Sequence, residues 1–189
     1  VKLWLDASNI NGANNEGMTH SSSLSVWENL GDEGVDVTAP SGKEPVYLED
    51  PYGGGFPVVN LGSNKYFDVS LPDYFSQDVT FFFVYDKCGN VEWDSLLDTR
   101  NTNANNYNFW FMENRFNSTT ESAFRTELTG GWMYFNSVTS TPLKIVAIKM
   151  DSTGGIVYLN GVEKLNNSNL RLETGQTFDA DQVNRIGQD

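Results

Sequence analysis

Apolar and polar residues alternate along short runs of this chain, and turn-forming clusters separate the runs. In KLWLD (2–6), Leu3 and Leu5 alternate with Lys2, Trp4 and Asp6, the period of a strand with one buried face. Similar runs follow at SVW (25–27), PVYL (45–48), FPVVNL (56–61), KYFDV (65–69), DSLLDTR (94–100), YNFWFME (107–113) and SAFRTEL (122–128). WMYFN (132–136), LKIVAIKMD (143–151), IVYLNG (156–161) and QVNRIG (182–187) complete the series. VTFFFVYDK (79–87) is continuously apolar instead, which predicts a strand buried on both faces. The clusters between runs, among them DEG, PYGGG, NTNANN and STGG, are turn chemistry. Asn160-Gly161 in IVYLNGVEK is the strongest short hairpin signal. No segment has a helical period. About a dozen short strands without helices predict an all-β chain of two antiparallel sheets packed face to face. With no repeat and no linker, residues 1–189 are expected to form one domain.

Composition agrees with this pattern and narrows the partners. The 189 residues are 39% hydrophobic and 13% aromatic, enough for a sizeable core. Gly, Asn, Ser, Thr, Phe and Tyr predominate over Ala, the balance of strands joined by turns. A net charge of −13 with twelve Lys plus Arg repels phosphate backbones, so nucleic acid is not an expected partner. A polyanionic glycan would need a local basic patch or a metal ion to offset the same field. The single cysteine, Cys88, cannot form an internal disulfide and is expected to be an inert thiol. No apolar run reaches the roughly 18 residues of a membrane span, so no membrane insertion is expected. Val1-Lys2-Leu3-Trp4 carries neither an initiator Met nor a signal pattern, as in a module excised from a longer protein. The sequons at Asn117 and Asn166 carry little weight in so Asn-rich a chain.

Several motifs occur together in a familiar order: LWLDASNI at the start, VWENLG at 26–31, EPVY at 44–47, GFPVVNLGSNKYF at 55–67, DVTFFFVY at 78–85, VYLNGVEK and RIGQD. In these the chain resembles, over nearly its whole length, the LamG-like jelly rolls of the concanavalin A-like lectin/glucanase superfamily. The resemblance implies a two-sheet antiparallel jelly-roll β-sandwich with Trp4 and Trp27 in its core. Relatives continue past the "IG" segment with one more strand, whereas this chain ends at Asp189. The sandwich is therefore expected to lack its last strand, leaving an edge beside residues 2–6 that truncation exposes or another chain completes. This superfamily includes lectins, carbohydrate-binding modules, adhesion domains, glucanases and alginate lyases, so function has to come from site chemistry.

Two enzyme readings can be tested on the residues. Retaining glucanases of this fold carry E-x-D-x-x-E, which sets two carboxylates about 5 Å apart for nucleophile and acid. That string is absent; the nearest pairs are Glu92–Asp94 and Asp94–Asp98, which read as turn or surface carboxylates. FRTEL (124–128) looks like the "R-[ST]-E-L" strand of jelly-roll alginate lyases, where the Arg neutralises the substrate carboxylate; Arg125 would inherit that role, with Glu127 beside it. The proton-transfer His and Tyr strands of those enzymes have no counterpart here. The only histidine is His20, in a loop, and Tyr158 is the nearest surviving tyrosine; a general base has to reach the proton it removes. Arg125 and Glu127 are expected instead to form a salt-bridged pair. Zinc is not expected with one Cys and one His. Calcium is the possible cofactor, with Asp6, Asp32, Asp36, Glu49 and Asp50 as candidate ligands.

Carbohydrate binding needs only aromatic faces for sugar C–H groups and a few planar polar side chains for hydroxyls. In YNFWFM, alternation sets Tyr107, Phe109 and Phe111 on one face, expected to be core, and Asn108 and Trp110 on the other. Arg125 and Glu127 share a face, as do Trp132 and Tyr134. If those strands are neighbours, the outcome is a groove with two Trp, a Tyr, an Asn and a charged pair; Trp93, in a Gly-Asn loop, is a further candidate. The alternative places Trp110 and Trp132 in an aromatic-rich core. The expected function is a non-catalytic carbohydrate-binding or adhesion module of a larger extracellular, cell-surface or virion-surface protein. Other domains or chains of the same assembly are its second class of partner. A structural or assembly domain of a surface layer, adhesin, capsid or spike is the alternative, and a lyase or glucanase the third reading.

Overall fold

The structure, a computed structural model, describes residues 3–32, 35–69, 78–86, 95–101, 107–112, 121–126, 132–136, 143–170 and 182–188. These residues contain fourteen strands and no helix, hence none that could cross a membrane. Every strand pairing described is antiparallel. The chain is an all-β antiparallel sandwich, as the alternation requires, and it divides into two compact units.

The first unit comprises Val1–Ser70 and Asn184–Asp189. Its strands are short: β1 (Val26–Trp27), β2 (Val37–Thr38), β3 (Val46–Leu48), β4 (Val58–Asn60) and β5 (Phe67–Asp68), with most of β14 (Gln182–Gln188). They run in the order β1-β2-β5-β14, and β3 and β4 form a separate hairpin. Ile10, Val37 and Phe67 are fully buried. Trp27 tilts against Phe67 at 5.8 Å between ring centroids and donates its indole N–H to the Asp6 carbonyl at 3.2 Å, so it is a core residue as expected.

The N-terminal expectation needs correction. Residues 3–6 form no strand. The Trp4 N–H donates to Asn29 Oδ1 at 2.9 Å and its carbonyl accepts from the Leu30 N–H at 2.9 Å. Two bonds to one turn, without a ladder, do not hold the pleat that turns alternate side chains inward. Trp4 is accordingly 52% exposed rather than core.

The second unit, Leu71–Val183, is a two-sheet sandwich. One sheet runs β7 (Ser95–Asn101), β8 (Tyr107–Met112), β9 (Glu121–Thr126) and β10 (Trp132–Asn136). The other runs β13 (Val162–Asn167), β12 (Gly155–Leu159), β11 (Lys144–Met150) and β6 (Val79–Tyr85). The sheets meet through aromatic side chains. Phe111, fully buried, lies 4.9 Å from Phe83 and 6.2 Å from Tyr85 between ring centroids, and stacks on Phe135 at 6.4 Å. Val146, Ile148, Met150 and Val157 close the core from the second sheet. The β12–β13 hairpin turns at Asn160 (φ 50°) and Gly161 (φ 79°), the pair of positive φ values that makes Asn-Gly a hairpin turn.

Continuous burial of residues 79–87 is the other corrected expectation. Within β6, Phe81, Phe83 and Tyr85 face the core side, while Thr80, Phe82 and Val84 are exposed. The strand pairs with β11 and presents its second face to solvent, as a sheet in an antiparallel sandwich can.

Candidate functional site

The site begins with a sorting of faces in β8. Phe111 fills the core, so backbone alternation gives positions 110 and 112 to the other face of β8, while at Asn108 the pairing with β7 shifts register between Thr99 and Arg100. In β10, Met133 and Phe135 are buried while Tyr134 is half-buried and Asn136 exposed, so the even-numbered positions of this strand belong to that same other face. In β9, Ser122 is fully buried opposite Phe135, so the odd-numbered positions of this strand belong to the other face.

Register then brings these residues together. Trp110 pairs with Arg125, Arg125 pairs with Trp132, and Asp98 pairs with Trp110 on the other side. Directly paired residues share a face, so one cross-strand row reads Asp98–Trp110–Arg125–Trp132. The next row reads Met112–Ala123–Tyr134. At a strand spacing of about 4.8 Å, the two Trp backbones are roughly 10 Å apart with the Arg between them.

Burial changes across this face. At β7, Ser95 and Asp98 are 5% and 1% exposed, whereas at β10 Tyr134 is half-buried and Asn136 is exposed. One flank is therefore closed and the other open. A carboxylate as deeply buried as Asp98 is costly unless it is paired, and Asp98 is partnered. Sequence reasoning treated Asp98 only as half of a failed glucanase pair. The signal that points to it is the Leu96-Leu97 doublet: the pairing of β7 with β8 shifts register between Ser95 and Leu97. That bulge puts Ser95 and Asp98 on the Trp110 face.

Register thus brings Trp110, Arg125 and Trp132 into one cross-strand row with Tyr134 in the next, and does not join Asn108 to them, because the β7–β8 pairing shifts register beside it. Trp93 and Glu127 lie outside the described residues, as do Cys88, Glu92, Asp94 and Asn117. The lyase constellation is divided. Tyr158 pairs with Ala147 in the sheet of β6, and Arg125 pairs with Trp110 and Trp132 in the other sheet. His20 is exposed in the first unit, its Nδ1 accepting from the Glu49 N–H at 3.3 Å.

The calcium candidates all belong to loops of the first unit, and three of them brace those loops. Asp6 Oδ1 accepts from the Ser8 N–H at 2.8 Å and Oγ at 2.6 Å. Asp36 Oδ1 accepts from the Asn29 N–H at 3.0 Å, and Asp50 Oδ1 from the Gly54 N–H at 2.8 Å. Asp32 and Glu49 are exposed. Among the described residues no three acidic, His or Cys side chains converge as a metal site would need.

The chain matches no protein-family model and no curated protein. Among solved structures it is similar to domain 4 of AbnA, a GH43 extracellular arabinanase from Geobacillus stearothermophilus, in complex with arabinotriose. The identity is 13%, the TM-score 0.43, and the match covers 89% of this chain and 68% of that one.

Proposed function

We propose that this chain is a non-catalytic carbohydrate-binding or adhesion module of the LamG-like, concanavalin A-like type, carried by a larger extracellular or particle-surface protein. The observation that carries the reading is the register that aligns Trp110, Arg125 and Trp132 in one cross-strand row. Indole rings offer broad apolar faces for sugar C–H groups. The Arg125 guanidinium, with five donors in a fixed fork, suits adjacent hydroxyls. Tyr134 adds a hydrogen-bonding group in the next row, and Asn108, Trp93 and Glu127 are further candidate contacts. A net charge of −13 disfavours polyanions, so the ligand is a neutral glycan.

A glycan array of the soluble chain, run with and without calcium and beside Trp110→Ala, tests this reading. Binding to neutral glycans that is lost in the variant is the expected result, and the calcium arm reads whether a metal takes part. Silence on neutral glycans, or full binding by Trp110→Ala, overturns it. The assembly reading also has a specific observation in its favour, the exposed apolar face of β6 and β11.

A further inference from the structure

The outward face of the β13-β12-β11-β6 sheet is apolar where an outer sheet face is normally polar. On β6, Phe82 and Val84 are 72% and 66% exposed, and on β11 Ile145 is 47% exposed. Register makes these one patch: Val84 pairs with Ile145, Phe82 with Ala147, and Ala147 in turn with Tyr158. Ile156, half-buried, extends it beside Lys149. Together they present on the order of 500 Å² of contiguous apolar surface, at the upper end for the largest patch of a monomer. The paired positions of this face carry one cation, Lys149, and one anion, Glu163, which cancel. In a chain of net charge −13, such a neutral apolar area is where two copies can approach against the least repulsion.

We propose that this face is a self-association surface, on which two copies pack back to back through Phe82, Val84 and Ile145. Two such patches together remove about 1,000 Å² of apolar surface, the lower bound for a specific interface, so the dimer is of micromolar rather than nanomolar strength. Salt strengthens it, because the remaining surface of both copies is acidic and screening weakens that repulsion. The patch and the Trp110 row lie on opposite faces of the sandwich. If the glycan reading also holds, the dimer points its two sugar faces away from each other and can bridge separate surfaces.

Sedimentation velocity of the whole chain from about 1 μM to about 500 μM, at low and high salt, tests the proposal. A dimer that grows with concentration and with salt is expected, and it should be abolished in Val84→Glu and weakened at least tenfold in Phe82→Ser. Both positions are largely exposed, and unchanged circular dichroism and melting would show the variants folded. A wild-type monomer across the range overturns the proposal and assigns the face to a different chain. A dimer indifferent to both substitutions overturns it equally, since the contact then lies elsewhere. Glycan binding is read separately on the same samples, so the failure of either claim leaves the other measurable.

Discussion

Phe111→Ala and Phe82→Ala, compared in one unfolding experiment, would test which faces of the sandwich are inside. Phe111 is fully buried and touches Phe83, Tyr85 and Phe135 at ring distances of 4.9, 6.2 and 6.4 Å. Removing a buried Phe costs about 3–5 kcal/mol through lost transfer energy and the cavity left behind. Contacts between rings contribute about 0.5–1.5 kcal/mol each within that loss. We therefore expect about 4 kcal/mol for Phe111→Ala. Phe82 is 72% exposed. Full burial of a Phe contributes about 1.5–3 kcal/mol, so the remaining fraction leaves less than about 1 kcal/mol for Phe82→Ala. Urea unfolding by circular dichroism, at protein concentrations below the association range, gives both values from midpoints at a common m. Equal costs, or a larger one at Phe82, would refute the sorting of faces. A slip of one residue in register reverses every side chain, and a slip in β8 would carry Trp110 into the core.

Two further predictions concern the β11–β12 connection and β12 itself. The Asp151 carboxyl is held below its ordinary value of 3.8, chiefly by the hydroxyl of Thr153 and then by the Thr153 backbone N–H, with bonds of 2.6 and 2.8 Å. A depressed carboxylate stabilises the fold above its unfolded value and loses that contribution as pH falls through the folded one. The stability gap between wild type and Asp151→Ala should thus be level at neutral pH and close below about pH 4; a gap unchanged in acid would contradict this. Gly155→Ala would set a Cβ 2.5 Å from Leu170 Cγ and 2.6 Å from the Leu170 carbonyl oxygen. Overpacking of this kind costs about 1–3 kcal/mol, so thermal melting should fall by several degrees, and an unchanged midpoint would show the space to be open.

Period-two patterning made the strands of the second unit legible almost residue by residue. WMYFN and the Asn160-Gly161 hairpin lie where alternation and turn chemistry put them. It was less informative where strands are two or three residues long. Val37–Thr38 offers too few positions to show a period, and residues 3–6 alternate in sequence yet bond to a turn. The VTFFFVY run misled for a different reason. Apolar content reports that a face avoids water, but it does not distinguish burial within the chain from burial against another molecule. Alternation alone pairs off neighbouring positions within β8, β9 and β10 but does not predict the shifts that bring in Ser95 and Asp98 and set Asn108 apart. Nor does it give the register of the row, because which residue stands opposite Arg125 depends on strand partners and on the bulge beside Leu97.

The most direct test of the central claim uses the indole N–H signals of the five tryptophans, assigned by single substitution and followed during titration with a neutral glycan identified on the array. Trp27 is an internal reference, since its indole N–H is already bonded to the Asp6 carbonyl within the core. Saturable shifts at Trp110 and Trp132, with Trp27 unmoved, are predicted. Shifts confined to Trp4, or none at Trp110 and Trp132 while the glycan binds, would contradict the account.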